Sequence, residues 1–414
     1  MNWLSCFGGG IDNKRGNGNL LSQLPDDLIR EILIRLPADQ LWKCRRVCKR
    51  WHHVIISPEF AQQHAQRAPS LVFLQNTRKY MHSHVKKARK RFFYFDRAMK
   101  KVRFANHWNY NPMWSTYPIV RDSCNGLLLL VPCFEHYWGF DRELFFIGNP
   151  TTGELQRFQK PTKSGYFCGF FFHSMEFKLL HVDGNWLSNP TPPIYSIFSL
   201  RTQMWRNIHN VPHGFYPAIY KPPVNINKYN YLFWMVFGSD NYNFDCRHSI
   251  IVFNMDTEKF DGFPHPDHPS YSACVGNMHA NMHLLEMEGR VTWWLQLSSQ
   301  FHVWSLDIDE YGGSGGWTWT PLYTLPYRSD FQRYPFFGSI DGRINLVTIR
   351  DKQVLLVWSY RGVFWYNLET NAIAQVKLTE KKMNKLRFFE WELVMIDYTK
   401  TVVTLKQNMI RAVV

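Results

Sequence analysis

The side chains able to act as metal ligands or catalytic bases are scattered, and one pair has a familiar spacing. His279 and His283 stand four residues apart, as in a zinc-binding helix, but Ala280 occupies the place where a metalloprotease carries its glutamate base. The pair falls between strand-like segments, so we interpret it as structural or exposed. We do not interpret the other close pairs as metal ligands: His52-His53 and His82-Ser83-His84.

Nucleophilic and phosphate-binding motifs are also missing from the sequence. It contains no Gly-rich phosphate loop, no Gly-x-Ser-x-Gly elbow and no defensible pair of catalytic carboxylates. Cys44 and Cys48 lie at i, i+4 in a helical segment, where thiols behave as small apolar core residues. We therefore expect a non-enzymatic binding protein with no catalytic residues, no cofactor and no metal.

The charge balance favours anionic partners but does not indicate a fold. Forty-eight Lys and Arg residues against 33 Asp and Glu residues give a net charge of +15. The densest basic run, residues 86–91 (KKARKR), could be a nuclear-import signal or a nucleic-acid contact. We favour a solvated loop, because nothing nearby resembles a nucleic-acid-binding module.

Composition also bears on the cellular compartment. The eight cysteines are scattered without a CxxC pair and no signal-peptide pattern is visible, so we expect reduced thiols in the nucleus or cytoplasm. No apolar run reaches membrane-spanning length, and we expect no membrane partner. Residues 1–19 are rich in Gly and Asn and predict a disordered segment.

A helical pattern occupies residues 24–60. Pro25 suits the first turn of a helix, and Asp26 and Asp27 place negative charge at its positive end. A second helix follows Pro37, and a third ends where Pro58 breaks it. The apolar stripe of the first helix comprises Leu28, Ile29, Ile32, Leu33 and Leu36. Three such short helices form a small core, so the surplus apolar face predicts a docking surface.

These helices carry a pattern that resembles the F-box. Leu-Pro-x-x-Leu-x-x-x-Ile-Leu-x-x-Leu-Pro is followed by Arg-x-Val-Cys-Lys-x-Trp and then by Pro-x-Phe, without a gap between residues 22 and 64. The matching residues are Leu24, Pro25, Leu28, Ile32, Leu33, Leu36, Pro37, Arg45, Cys48, Lys49, Trp51, Pro58 and Phe60. A generic three-helix cap on the larger domain is the alternative.

From about residue 70 the pattern changes to short aromatic or β-branched runs separated by turn residues, which indicates an all-β domain. A strand, a polar turn and a second aromatic strand recur at intervals of roughly fifty residues. The six recurrences are marked by Phe95, Ile147, Phe198, Phe253, Trp304 and Trp365. One four-stranded blade per repeat predicts a six-bladed, kelch-like β-propeller, with seven blades or an irregular sandwich as alternatives.

Pairing between the two ends of the domain would close the propeller. Candidates are residues 71–74 at its start and either 393–396 or 401–405 at its end.

Three segments of the β region resemble the F-box-associated domain of plant F-box proteins: 122–128 (DSCNGLL), 148–153 (GNPTTG) and 251–260 (IVFNMDTEKF). The fold class expected is therefore α+β multidomain. We place a disordered segment at 1–19, a three-helix F-box at 20–66 and an F-box-associated propeller at 67–414.

The resemblance implies a substrate-recognition subunit of an SCF-type ubiquitin ligase. The F-box would bind a Skp-type adaptor and, through it, a cullin and a RING subunit, while the β domain would hold a protein target for ubiquitination and degradation. The expected adaptor contacts are Leu24, Pro25, Leu28, Ile32, Leu36, Pro37, Leu41, Val47, Cys48 and Trp51. Some of these must instead pack the F-box core, and the sequence does not divide them.

Two other functions remain open. An adaptor-binding regulatory protein would bind the adaptor without assembling a ligase. A polyanion or nucleic-acid binder would use the basic excess, and its affinity would fall steeply with salt because binding releases counterions.

Overall fold

The structure is a computed structural model and describes residues 24–68, 70–76, 92–96, 101–104, 118–132, 144–162, 164–183, 193–209, 211, 223–226, 228–236, 248–267, 282–296, 300–309, 316–326, 344–350, 352–358, 362–370, 372–375 and 393–405. Several sequence-based interpretations concern residues outside these ranges: the segment 1–19, the basic run 86–91, His82, His84 and His279.

Four helices open the described chain: α1 (Asp26–Leu33), α2 (Ala38–Cys44), α3 (Lys49–Ile56) and α4 (Pro58–Arg67). The expectation of three helices is wrong because Pro58 begins a helix instead of ending the folded helical region. Its ring suits the first turn, and the Ser57 Oγ accepts the Phe60 N–H at 3.3 Å as an N-cap. None of the helices in these ranges is long and apolar enough to cross a membrane.

Strands follow the helices in the described part of the chain. Their bounds are β1 (Ser70–Asn76), β2 (Phe92–Asp96), β3 (Lys101–Phe104), β4 (Pro118–Cys124), β5 (Leu127–Pro132), β6 (Leu144–Asn149), β7 (Glu154–Gln159), β8 (Tyr166–His173), β9 (Glu176–Asp183), β10 (Ile194–Ser199), β11 (Met204–Ile208), β12 (Val224–Ile226), β13 (Tyr231–Met235), β14 (Ile250–Asn254), β15 (Lys259–Phe263), β16 (Met282–Met287), β17 (Arg290–Gln296), β18 (Gln300–Asp307), β19 (Thr318–Pro326), β20 (Ile344–Arg350), β21 (Gln353–Trp358), β22 (Gly362–Asn367), β23 (Ile373–Gln375) and β24 (Leu393–Thr399).

Within the described residues the strands form five sheets, the blades of a β-propeller. Four blades have four strands each, in the spatial orders β24-β1-β2-β3, β4-β5-β6-β7, β11-β10-β9-β8 and β12-β13-β14-β15. The fifth has eight strands in the order β19-β18-β17-β16-β20-β21-β22-β23.

The prediction of six blades, with seven as its alternative, is therefore wrong. The last two four-stranded units are joined where Met287 of β16 pairs in parallel with Ile349 of β20, and they form one sheet instead of two. The underlying repeat is confirmed, because each of the six anchor residues lies on the third strand of a four-stranded antiparallel unit.

The two ends of the propeller domain meet in its first blade. β1 and β24 pair antiparallel, with Phe73 opposite Ile396 and Leu71 opposite Tyr398. This pairing confirms closure through residues 393–396. The other candidate, residues 401–405, forms no described strand but is fully buried beside the F-box helices.

Aromatic rings fill the space between neighbouring blades. The ring of Phe145 on β6 lies 4.9 Å from that of Phe167 on β8 and 5.6 Å from that of Phe198 on β10. Trp234 on β13 donates its indole N–H to the carbonyl oxygen of Cys168 on β8 at 2.6 Å. The high aromatic content thus supplies the packing between blades that a propeller requires.

Candidate functional site

Three large apolar side chains of the F-box are exposed. Leu28 and Ile32 on α1 are 51% and 47% exposed, and Val47, between α2 and α3, is 48% exposed. Their neighbours Ile29 and Leu33 are buried. Residues four apart share one face of a helix, so α1 presents two apolar faces, one to the core and one to solvent.

The structure divides the ten predicted adaptor contacts into three groups. Six are exposed: Pro25, Leu28, Ile32, Pro37, Val47 and Cys48. Three are partly buried against the core: Leu24, Leu36 and Trp51. Leu41 is fully buried and packs the interior. Fewer residues are thus exposed to a partner than the sequence pattern predicts. We call Leu28, Ile32 and Val47 the apolar strip.

Charged residues flank members of the strip along the chain. Arg46 and Lys49 are exposed on either side of Val47 and Cys48. At the start of α1 the Asp26 carboxylate pairs with the Arg50 guanidinium at 2.6 Å, which ties α1 to α3. Exposed apolar side chains and exposed charged side chains thus occur together in this module, a mixture found at protein-binding surfaces.

The turn after α1 is held by a buried histidine. His64 on α4 lies 2.9 Å from the carbonyl oxygen of Leu36 through its Nε2, and its ring stacks on Phe60. Burial lowers the pKa of His64, and the bond to the Leu36 carbonyl partly opposes that shift. The neutral imidazole then donates from Nε2, which ties α4 to the turn after α1.

The inner side of the F-box packs on the propeller. One hydrophobic cluster contains Ile29 and Leu33 of α1, Ile55 of α3, and the propeller residues Leu127 and Phe145. Residues of the chain's C-terminal part, Val402, Val403 and Leu405, belong to the same cluster. The F-box thus shares a core with the blade β4-β5-β6-β7.

The turn between β6 and β7 takes part in this contact, a role that sequence analysis missed. Asn149 is fully buried and donates to the carbonyl oxygens of Thr401 and Val403. A signal for it was present, since the Asn-Pro-Thr-Thr-Gly turn was already apparent at residues 149–153. Its bonding partners were not predictable because they lie more than 250 residues away.

The buried ionisable groups of the propeller serve structural contacts. Asp122 on β4 accepts the N–H of Phe170 on β8, so its carboxylate joins two blades. Burial raises the pKa of Asp122 to about 7 and also raises the pKa of the buried thiols of Cys124 and Cys168. High thiol pKa values make these cysteines poor nucleophiles.

No arrangement for metal binding is found in the part of the chain that the structure describes. His283 lies on strand β16 opposite Trp294, so the helical spacing it shares with His279 does not correspond to a helix at this residue. Cys44 is partly buried at the end of α2. Cys48 is exposed and caps α3 by accepting the Trp51 N–H, so the interpretation of Cys48 as an apolar core residue is wrong.

A helical module with an exposed apolar strip, joined to a propeller through a shared core, defines a two-part binding scaffold. Residues 21–63 match the F-box domain family, and residues 71–405 match the F-box associated beta propeller domain family. The chain belongs to the F-box proteins that carry an F-box associated β-propeller domain.

Relatives in Arabidopsis thaliana agree with this assignment. The F-box protein At3g25460 is 24% identical over 58% of this chain and 63% of its own length. F-box protein At3g22700 is 22% identical over 84% of this chain and 98% of its own length. The F-box/kelch-repeat protein At3g17530 is 27% identical over 70% of this chain and 73% of its own length. For At3g25460 the match spans less than two thirds of the relative.

Proposed function

We propose that this chain is the non-catalytic substrate-recognition subunit of an SCF-type ubiquitin ligase. The F-box binds a Skp-type adaptor, which links it to a cullin and a RING subunit, and the propeller holds a protein target. The observation that carries the proposal is the apolar strip of Leu28, Ile32 and Val47, exposed on an F-box whose other face is buried against the propeller.

The concentration of exposed apolar side chains favours docking at this place. Among the described residues six large hydrophobic side chains are exposed, and three of them fall within the short F-box. Single exposed apolar residues are ordinary, but their concentration in one short module favours an interaction surface there. A partner covering the strip would remove three aliphatic side chains from water, and that burial of apolar area favours binding.

The position of the F-box also bears on where a target binds. The C-terminal residues beside the F-box contact the turns that follow β4 and β6, at Asn125 and Asn149. Both turns lie at the same end of their blade. The opposite end of β6, where Leu144 begins the strand, makes none of these hydrogen bonds to the C-terminal residues. We propose that the target binds at that end, where it does not compete with the adaptor.

The mechanism requires no bond chemistry from this chain. Holding the target on the propeller and the adaptor on the F-box converts an encounter between a target lysine and a charged conjugating enzyme into a local event. The gain is one of effective concentration and orientation. The chain would act in the nucleus or cytoplasm, the compartments that its scattered cysteines without a CxxC pair favour.

Gel filtration of the full chain with a Skp-type adaptor, and then with a cullin amino-terminal domain, tests the proposal. The test variant is Leu28→Asp with Ile32→Asp. The matched control is Met175→Asp with Met204→Asp, because these side chains are 55% and 68% exposed on the propeller. We expect wild type and control to co-elute with both partners and the test variant to elute alone.

Other outcomes would separate the alternatives. Co-elution with the adaptor but not with the cullin would favour an adaptor-binding regulatory protein. A folded wild type that binds neither partner would overturn the proposal. Binding to heparin that weakens steeply with salt would then favour a polyanion binder.

A further inference from the structure

The chain segment that follows the last strand lies between the F-box and the propeller. Residues 401–405 are all buried, although they form no described strand. Val402, Val403 and Leu405 belong to the same hydrophobic cluster as the F-box residues Leu33 and Ile55. We call residues 400–405 the C-terminal segment.

The propeller holds the backbone of this segment at several points. The Asn149 side-chain amide donates to the carbonyl oxygens of Thr401 at 3.1 Å and of Val403 at 2.8 Å. The Glu154 carboxylate accepts the Leu405 N–H at 2.6 Å. The Thr401 hydroxyl donates to the carbonyl oxygen of Asn125 at 2.9 Å. Four hydrogen bonds thus fix an otherwise irregular segment to one blade.

Glycine at position 126 is required for this close approach. Gly126 has a φ of +83°, and a Cβ built on it would lie 2.0 Å from Thr401 Oγ1 and 2.8 Å from the carbonyl oxygen of Thr399. Any side chain would therefore both strain the backbone and collide with the C-terminal segment.

The F-box is attached to the same segment by charge as well as by apolar packing. The Lys400 ammonium donates to the Asp39 carboxylate of α2 at 2.7 Å, and Lys400 is only 22% exposed. Arg45, at the end of α2, stacks on Trp42 with its guanidinium carbon 3.8 Å from the ring centroid. The Glu154 carboxylate partly offsets the effect of burial, which lowers the pKa of Arg45.

Comparison with equivalent turns in other blades shows that Asn149 makes additional hydrogen bonds. Asn254 and Asn367 also begin turns after the third strand of their units. Each accepts two turn N–H groups through its Oδ1, from Asp256 and Thr257 or from Glu369 and Thr370. Asn149 likewise accepts the Thr151 N–H through Oδ1, but its Nδ2 also binds a segment distant in sequence.

We propose that the C-terminal segment is an intramolecular latch that fixes the F-box to the blade β4-β5-β6-β7. Asn149 and Lys400 are its positioning residues. The latch sets the direction in which the apolar strip points relative to the propeller, and hence the geometry between bound adaptor and bound target. Its consequence for ubiquitin transfer rests on the proposed function, whereas the latch itself is a property of the isolated chain.

Hydrogen–deuterium exchange of the full chain tests the latch with a matched pair of variants. Asn149→Asp retains an oxygen for the turn but removes the amide that holds the segment. Asn254→Asp retains both bonds of its own turn. We expect exchange in α2 and in residues 401–405 to be about tenfold faster in Asn149→Asp, because two hydrogen bonds to the segment are lost. Exchange in β12–β15 should be unchanged.

Several results would overturn the proposal. Unchanged exchange in α2 for a folded Asn149→Asp would do so, as would equal loosening of α2 in Asn254→Asp. If Asn149→Asp does not fold, Lys400→Glu replaces it. That variant should accelerate exchange in α2, and the swap Asp39→Lys with Lys400→Glu should restore it. Failure of both effects counts against the latch.

Adaptor titration separates this proposal from the proposed function. The apolar strip is intact in all of these variants, so adaptor affinity should stay within about twofold of wild type while α2 loosens. Absence of adaptor binding in the wild type would defeat the ligase proposal but leave the exchange result, and therefore the latch, standing.

Discussion

Asp122 joins two blades through a carboxylate in a buried site. Its oxygens accept the N–H groups of Ser123 at 2.7 Å and of Phe170 at 2.9 Å. Burial raises the pKa of Asp122 from its ordinary value of 3.8 to about 7, although these two N–H groups and Arg121 act in the opposite direction. Desolvation therefore exceeds the stabilisation that the donors provide.

This raised pKa predicts a pH dependence of stability with a definite sign. A carboxyl that holds its proton more tightly when folded stabilises the protein below pH 4, and that stability is lost as the pH rises towards 7. Asp122→Asn has no proton to lose, so between pH 4 and pH 7 its free energy of unfolding should decline less than that of wild type, by roughly 2–4 kcal/mol. Urea unfolding across this range measures the difference. If the free energies of unfolding of the two proteins changed equally with pH, the raised pKa of Asp122 would be contradicted.

His181 is also buried, but burial lowers its pKa instead of raising it. Its ring lies 5.3 Å from that of Phe167 and 6.0 Å from that of Trp205, and neither imidazole nitrogen has a hydrogen-bond partner. Burial, with a smaller contribution from the Lys160 charge, lowers the pKa of His181 to about 3. A base with a lowered pKa costs stability as the pH falls from about 6.5 towards 3, because the unfolded chain gains a proton first.

His181→Phe should remove that acid sensitivity. The aromatic ring fits among Phe167 and Trp205, and it has no unpaired nitrogens to desolvate. At pH 5 we expect the variant to gain about 2 kcal/mol relative to wild type beyond any difference at pH 8. Denaturant unfolding at the two pH values is the measurement. An equal difference in stability at pH 5 and at pH 8 would mean that the pKa of His181 does not change on folding.

At the level of elements, the two faces of α1 predict different mutational costs. Leu33 is fully buried, so Leu33→Ala should lower the free energy of unfolding by about 2–5 kcal/mol through lost burial and a cavity. Leu28 is 51% exposed, so Leu28→Ala should cost no more than about 1 kcal/mol. Chemical unfolding of both single variants compares them. Equal costs would show that the two residues do not lie on different faces.

The sequence identified α1 correctly but not the division between its faces. Leu28, Ile29, Ile32 and Leu33 are all aliphatic, so periodicity marks one broad stripe and cannot show which half packs inward. That division depends on where the propeller core meets the F-box, at residues such as Phe145. The same limit placed Leu41, a fully buried residue, among the expected contacts.

Two further elements show what local patterns leave undetermined. Pro58 was interpreted as a helix breaker, whereas the Ser57 cap allows it to begin α4. The fifty-residue repeat correctly located the third strand of each unit. The predicted number of blades was wrong because a single parallel pair, Met287 with Ile349, merges two units into one sheet. Such a contact between separate repeats leaves no periodic signal in the sequence.

At the scale of the whole molecule, the F-box and the propeller share a hydrophobic core, so the F-box is not a separate domain attached only through a linker. Ile29 and Ile55 of the F-box lie in one cluster with Leu127 and Phe145 of the propeller. The apolar strip is on the opposite side and takes no part in this core. Substitutions in the strip should therefore affect partner binding without loosening the propeller, as the Leu28 and Ile32 variant assumes.

Hydrogen–deuterium exchange of the full chain with and without a saturating Skp-type adaptor tests the central claim most directly. We predict slower exchange in α1 and in residues 45–52 on binding, because these segments carry and flank the apolar strip. Strands β12–β15 should exchange at the same rate in both states. Protection confined to the propeller, or no protection at saturation, would contradict an adaptor-docking role for the F-box surface.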